Sequence, residues 1–344
     1  MPEQRKPSRL SAFLKRKNII LSPKVYFVDA MGSMALGLFA SLLIGTIFAT
    51  LGERLNVPIL IRIAGFAKSA TGPALGAAIA FALKAPPLVL FSAAAVGFAG
   101  NELGGPVGAF LAAVIGVELG KVVSKETRVD IIVTPAVTII TGSLIAILVG
   151  PGVSALMTGL GSVIMKATEM EPLLMGVVVS VIVGMVLTLP ISSAALCIML
   201  ELGGIAAGAA TAGCCAQMIG FAVMSFKENR WSGLVAQGLG TSMLQMGNII
   251  KNPLVWIPPT LAAAFTGPIA TVVFGLQSIP TAAGMGTCGL VGPFGIIAAM
   301  EMNLNAWLGL VLVCFVLPAL FTLLFAWPMR RLGWIRENDL KLDL

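Results

Sequence analysis

From Val28 to Trp327 the chain is a succession of apolar segments, most of them about 20 residues long, and its charges collect at the breaks between them. A helix of that length matches the ~30 Å hydrocarbon core of a bilayer. Inside such a core every backbone N–H and C=O must find a partner within the protein, and a helix meets that demand segment by segment. The chain therefore reads as an all-α polytopic membrane protein. Only 11% of its 344 residues are charged and mean hydropathy is +0.99, whereas about a quarter of a soluble domain is charged. The 39 glycines and 20 prolines suit bent, closely packed transmembrane helices. The length permits about ten spans at ~20 residues each.

The net charge of +7 does not point to nucleic acid, because the excess lies at the two ends, Arg5 to Lys17 and Arg330 to Arg336. There it reads as membrane orientation. With the basic arm inside and an even number of crossings, both termini face the cytoplasm. The charged loops Lys121–Arg128 and Lys227–Arg230 then fall on the same side. No cleavage site follows the basic N-terminus, so a retained first helix is expected rather than a removed signal peptide. The expected organisation is a cytoplasmic arm (1–24), a first transmembrane half (25–152), a second half (153–329) with an insertion at 231–252, and a cytoplasmic tail (330–344).

An internal echo motivates that division. GPALGAAIAF around Pro73 is matched by EPLLMGVVVS around Pro172, and Glu102-Leu103-Gly104-Gly105 returns as Glu201-Leu202-Gly203-Gly204. Both pairs keep the same separation, so two duplicated halves in parallel orientation are expected, each with a short re-entrant segment. Leu88–Gly100 and Ile191–Leu200 would rise only ~20 and ~15 Å as helices, too little to cross. Each leads to a glutamate beside paired glycines. Asn101, Glu102 and Glu201 are therefore candidate solute contacts, since an ionisable residue at depth usually faces a cavity or a partner. The alternative is that each carboxylate caps the helix that follows.

The insertion supplies Gln237, Gln245 and Asn248, uncharged amides that both donate and accept and so suit a polyhydroxylated solute. An interfacial helix, or amides linking neighbouring spans, is the competing account. The glycine-rich run Gly284–Gly292 places Thr287 on a stretch with too many glycines for a stable helix. It reads as a re-entrant pore lining or an extracellular loop, and not as a phosphate loop, since no Gly-Lys-Ser/Thr follows. Glu118 and Lys121 read as a local ion pair near a helix end. The absence of histidine excludes a phosphohistidine relay, a histidine-based triad and imidazole metal ligands. The five cysteines form no Cys-x-x-Cys pair and read as buried small hydrophobes, so no metal site and no cofactor are expected. No nucleophile–base pair is evident, so the chain does not read as an enzyme.

GLGTSMLQMGNIIKNPLVWIPP (238–259), Thr266-Gly267-Pro268 and GMGTCGLVG (284–292) resemble the phosphotransferase-system enzyme IIC-like membrane family, which includes PfoR-type regulators of toxin expression. The resemblance covers nearly the whole chain. It implies a ten-span permease-like fold and a sugar or other small-solute substrate. The expected function is a membrane transporter, either an IIC-like permease or a secondary carrier. Its small polar solute would be bound between the duplicated halves at the re-entrant tips and moved by one half rocking against the other. The alternative is a ligand-binding membrane sensor or regulator without transport. Expected partners are the solute and the lipid bilayer, with a homodimer and separate phosphotransferase subunits as further options and no nucleic acid. The location implied is the bacterial inner (cell) membrane.

Overall fold

The computed structural model describes residues 9–301 and 303–342, and among them no strand occurs; one isolated bridge pairs Gly204 with Ser278. Among the described residues six helices are long and apolar enough to cross a membrane, and three apolar helices are shorter. In chain order the helices are α1 (Arg9–Arg16), α2 (Lys24–Glu53), α3 (Pro58–Ser69), α4 (Thr71–Ala82), α5 (Pro87–Val123), α6 (Asp130–Thr168) and α7 (Pro172–Thr188). They continue with α8 (Ser193–Met199), α9 (Gly204–Met224), α10 (Phe226–Val235), α11 (Met246–Lys251), α12 (Pro253–Val273), α13 (Pro280–Ala283), α14 (Val291–Ala299) and α15 (Leu304–Arg331).

Two compact units emerge: residues up to Leu38 with Ala70–Val153, and Phe39–Ser69 with Ser154 onward. The apolar stretch around Ala70 is broken at that residue (φ −79°, ψ 1°), so that α3 belongs to the second unit and α4 to the first. Thr71-Gly72-Pro73 follows the break, and Pro73 has no N–H to continue a helical ladder.

In the first unit α4 packs on the opening arm of α5 through backbones in direct contact. A methyl group at Gly76 would lie 2.0 Å from the Ala93 carbonyl oxygen, and one at Gly97 would lie 2.3 Å from that of Gly72. Small residues allow this approach, which is how helices associate where lipid offers no hydrophobic driving force. α5 then reverses at Gly104 (φ −150°, ψ 20°) and Gly105 (φ 57°, ψ −158°). Its arms run antiparallel, because Gly100 faces Gly108 and Ala109 at one end while Gly120 faces Val89 at the other. Each arm is ~26 Å long at 1.5 Å per residue. The opening arm therefore extends beyond the expected stop at Gly100, through Asn101 and Glu102 to Leu103. α6 leans on the returning arm at Gly142 and holds the tip at Gly150, where a methyl would meet the Leu103 carbonyl oxygen at 2.9 Å. Instead of closing at Gly150-Pro151-Gly152, α6 continues to Thr168. Pro151 removes one N–H, but with no water to take over the freed groups the helix resumes beyond it.

In the second unit α9 is the hub, with 89% of its apolar stretch buried. α7 and α12 pack on it and on each other. A methyl at Gly213 would lie 1.9 Å from the Ser180 carbonyl oxygen, and one at Gly267 would lie 2.1 Å from that of Gly176. On its other side Ala212 and Cys215 join Leu276, Ile296, Leu310 and Val313 in an apolar core with α14 and α15.

Candidate functional site

Three interruptions of regular helix in the second unit converge on one face of α9. The first is the end of α7 at Thr188, after which Leu189 and Pro190 turn the chain into α8. The Ser192 hydroxyl caps α8 by accepting from Ala195 N at 3.2 Å. The second is Thr241, whose extended backbone (φ −159°, ψ 144°) separates a widened turn at 236–240 from a tight one at 242–245. The third is the glycine-rich run, where Gly286, Gly289 and Leu290 have φ of 54°, 51° and 61°. Ser193 donates its hydroxyl to the Gly284 carbonyl at 2.7 Å, tying the first interruption to the third. Non-helical backbone is tolerated at membrane depth only where protein buries it or water reaches it.

At the meeting point lies Gln217, the lone amide in an α9 sequence otherwise made of small, apolar and hydroxyl residues, GIAAGAATAGCCAQMIGFAVM. It is fully buried. Its Nε2 donates to Thr260 Oγ1 at 3.1 Å, and its Oε1 accepts from the Trp256 indole N–H at 3.0 Å and from Thr188 Oγ1 at 3.3 Å. Thr188 Oγ1 and Ser242 Oγ lie 2.8 Å apart, both buried. Thr260 in turn donates to the Trp256 carbonyl at 2.7 Å. At the next residue of α9, Thr287 of the glycine-rich run donates to Met218 Sδ at 3.6 Å. Among the described residues only one of the two Gln217 amide N–H bonds finds an acceptor. The cluster is neutral throughout and rich in hydroxyls; Thr188, Gln217 and Thr260 stand on α7, α9 and α12, and Ser242 on the tight turn after Thr241.

Of the expected site residues, Thr287 belongs to this neighbourhood and is completely buried. The three amides of the insertion are brought together elsewhere. Gln237 Nε2 donates to Ser225 Oγ at 2.8 Å and to the Gly233 carbonyl at 3.0 Å. Gln245 Nε2 donates to Gln237 Oε1 at 2.9 Å and to the Leu340 carbonyl at 3.0 Å. Asn248 Nδ2 donates to Gln245 Oε1 at 2.8 Å and to the Lys341 carbonyl at 2.9 Å. All their amide donors are thus engaged, and two of the three hold the C-terminal tail. Asn229 does the same, donating to Leu340 O at 2.7 Å and accepting from Leu342 N at 2.8 Å. These amides act as a latch on the chain's own tail.

Glu102 and Glu201 are exposed in their respective units. Glu102 ends the opening arm of α5, with Asn101 half-buried before it. Glu201 occupies a left-handed turn (φ 48°) between α8 and α9. Leu202, not Glu201, is tucked in. The N-cap of α9 is Gly203, with no side-chain cap, so the capping account does not describe Glu201. Glu118 and Lys121 form the expected ion pair, at 2.9 Å. All five cysteines are free and buried.

Gln217 was not singled out from the sequence, although its signal was there: a single amide inside an apolar, glycine- and alanine-rich span has few reasons to persist unless it is hydrogen-bonded. A model of the family described as "Phosphotransferase system, EIIC" matches residues 28–342. No curated protein and no solved structure matches the chain.

Proposed function

The chain belongs to the phosphotransferase-system EIIC family, a family of membrane sugar permeases, and on that premise we propose that it carries a small, uncharged, hydroxyl-bearing solute through the second unit beside Gln217. The observation that carries this reading is that two helix interruptions, after Thr188 and at Thr241, meet in a buried, neutral cluster of Thr188, Gln217, Ser242 and Thr260, with the glycine-rich run beside it on Met218. Interrupted helices are where membrane carriers commonly place their substrates. A sugar presents several hydroxyls that each donate and accept, and the side chains here do likewise. On binding, the solute would take over hydrogen bonds that these groups now make with one another. Because those bonds join side chains rather than a backbone ladder, the exchange leaves α7 and α9 intact. The spare Gln217 N–H gives it a first foothold. Thr287, on the neighbouring glycine run, would offer a further hydroxyl next along α9.

Several finer elements belong to the same proposal. The chain is read as having about ten spans in two duplicated halves, with both termini cytoplasmic in a bacterial inner membrane. Separate phosphotransferase subunits would be its partners. Asn101, Glu102 and Glu201 are assigned surface roles, meeting solute or a coupling cation outside the buried cluster. Uptake into proteoliposomes of the purified chain, with a panel of neutral sugars and their charged analogues, tests the substrate class. Saturable uptake of a neutral sugar whose KM Gln217→Met raises would support the reading. Selective uptake of charged analogues would overturn it. Glu102→Gln and Glu201→Gln should alter uptake less than Gln217→Met, and a larger loss would move the site to the tips.

A further inference from the structure

We propose that a pocket in the first unit, framed by Arg16, Lys17, Lys84, Lys121, Lys125 and Glu126, holds the phosphate of an anionic phospholipid headgroup. Three separate stretches of chain build it: the end of α1, the turn after α4 and the turn after α5. Its volume is about 290 Å³, room for about ten waters or for one headgroup. Five cations face one carboxylate across it.

Some of that charge has internal work. Lys121 Nζ is buried, pairs with Glu118 at 2.9 Å and donates to the carbonyls of Asn18 and Leu83, each at 3.0 Å. Lys17 donates to the Ser124 carbonyl and shares Glu126 with Arg16, at 2.5 and 2.7 Å. The surplus is Lys84 and Lys125. Both are exposed, and among the described residues neither makes an ion pair. Both also adopt left-handed backbone, with φ of 53° and 60°. That conformation is unfavourable for lysine by about 1 kcal/mol or more and natural for asparagine or glycine. Lys125 has a carboxylate close by, since Asp130 Oδ1 accepts its backbone N–H at 2.6 Å, so Lys84 is the freer of the two strained lysines, and together they mark a rim where positive charge is wanted.

A lipid source is favoured by position. Lys84 follows the apolar helix α4, and Lys121 to Lys125 close the apolar helix α5, so the pocket lies at the ends of membrane-type helices. There the negative surface of an anionic leaflet attracts basic residues. α1 adds Leu10, Phe13 and Leu14 at the i, i+3, i+4 spacing between basic residues, the pattern of a helix lying in the interface.

The test uses the full chain in nanodiscs of phosphatidylcholine with or without phosphatidylglycerol. Lys84→Asn and Lys125→Asn are combined, because asparagine accepts φ > 0 and only the charge is lost. Wild type should retain phosphatidylglycerol over phosphatidylcholine at least about tenfold by native mass spectrometry, and the double variant should lose most of that preference while melting normally in phosphatidylcholine alone. Equal retention by both proteins would overturn the proposal. So would equal protection of wild type by millimolar inorganic phosphate, which would make the pocket a site for soluble anions. If the double variant fails to fold, Arg16→Gln, whose side chain is 62% exposed, gives the same reading.

Discussion

Replacing Gln217 by methionine keeps the volume of the side chain and removes every hydrogen bond it makes. Three bonds are lost, to Thr260, Trp256 and Thr188. Side-chain hydrogen bonds within membranes average about 0.6 kcal/mol, which gives roughly 2 kcal/mol for three. The consequences for the partners agree with that figure. Thr188 keeps Ser242 and Thr260 keeps the Trp256 carbonyl, so only the half-buried Trp256 N–H is orphaned, at about 1–3 kcal/mol. The variant should therefore fold, with a lowered melting temperature. Its effect on solute should be larger in proportion. One or two hydrogen bonds to a neutral ligand at ~0.5–1.5 kcal/mol each correspond to a rise of about 3- to 100-fold in the apparent KM for uptake. Gln217→Glu, which preserves shape and acceptors, should fold as well yet bind neutral solute poorly. The assay pairs thermal melting with uptake into proteoliposomes. A methionine variant with the expected melting loss and an unchanged KM would reduce the cluster to scaffolding and refute the reasoning.

Gly213→Ala should cost about 1–3 kcal/mol or more, since the new methyl would stand 1.9 Å from a backbone carbonyl that cannot move aside. Gly65→Ala in α3, with nothing within 4 Å, should instead raise the melting temperature slightly. Removing residues 336–344 should strip acceptors from Asn229, Gln245 and Asn248 and lower the melting temperature by several degrees; unchanged melting would show that water replaces the tail without loss. Lys17, by its hydrogen bond, and the charges of Arg16 and Lys17 hold the Glu126 carboxyl below its ordinary value. A depressed acid contributes stability that is present above its unfolded pKa and is lost as pH falls through the folded one. Hydrogen exchange of residues 12–18 should thus stay slow from neutral pH down through the usual carboxylate range and quicken only in stronger acid, whereas Glu126→Gln should loosen the arm at every pH.

Much of the helical plan is legible because apolar run length and Gly/Pro punctuation act locally. The reversal at Gly104–Gly105, the turn before Pro86 and the break at Leu189–Pro190 were all marked by residues that cannot continue a helix or that escape its sterics. Gly238 and Gly240 marked a break before Thr241, but its form is set where Thr188 holds Ser242 from a helix distant in sequence. The same distance hid the tail latch. Nothing near Gln245 announces that its second donor will meet Leu340, so spare amides looked available for a solute. Glu102 and Glu201 were read as solute contacts from segment length and the repeated Glu-Leu-Gly-Gly motif, and within their units both side chains are exposed. Exposure depends on which side chain of the turn the fold tucks away, and at the second tip that is Leu202.

The repeated Glu-Leu-Gly-Gly motif acquires a physical meaning from its last glycine. Gly105 and Gly204 have φ of 57° and 62°, and a methyl added at either would meet nothing within 4 Å. Space is not the constraint there; backbone conformation is, and any L side chain would carry a strain of about 1–2 kcal/mol. What recurs in the sequence is therefore a way of turning the chain, and the carboxylate before it stays at the surface in both places. The buried polar chemistry, by contrast, draws on Ser242, inside the 231–252 segment that has no counterpart after Arg128, and on Gln217, whose matching position in the earlier stretch is Glu118. There a carboxylate is neutralised by Lys121 at 2.9 Å. The Glu-Leu-Gly-Gly echo thus marks two turns of the chain. At the offset position a charged pair stands in the first unit and a hydrogen-bonded neutral amide in the second, and that amide is the group on which the proposal of a neutral solute rests.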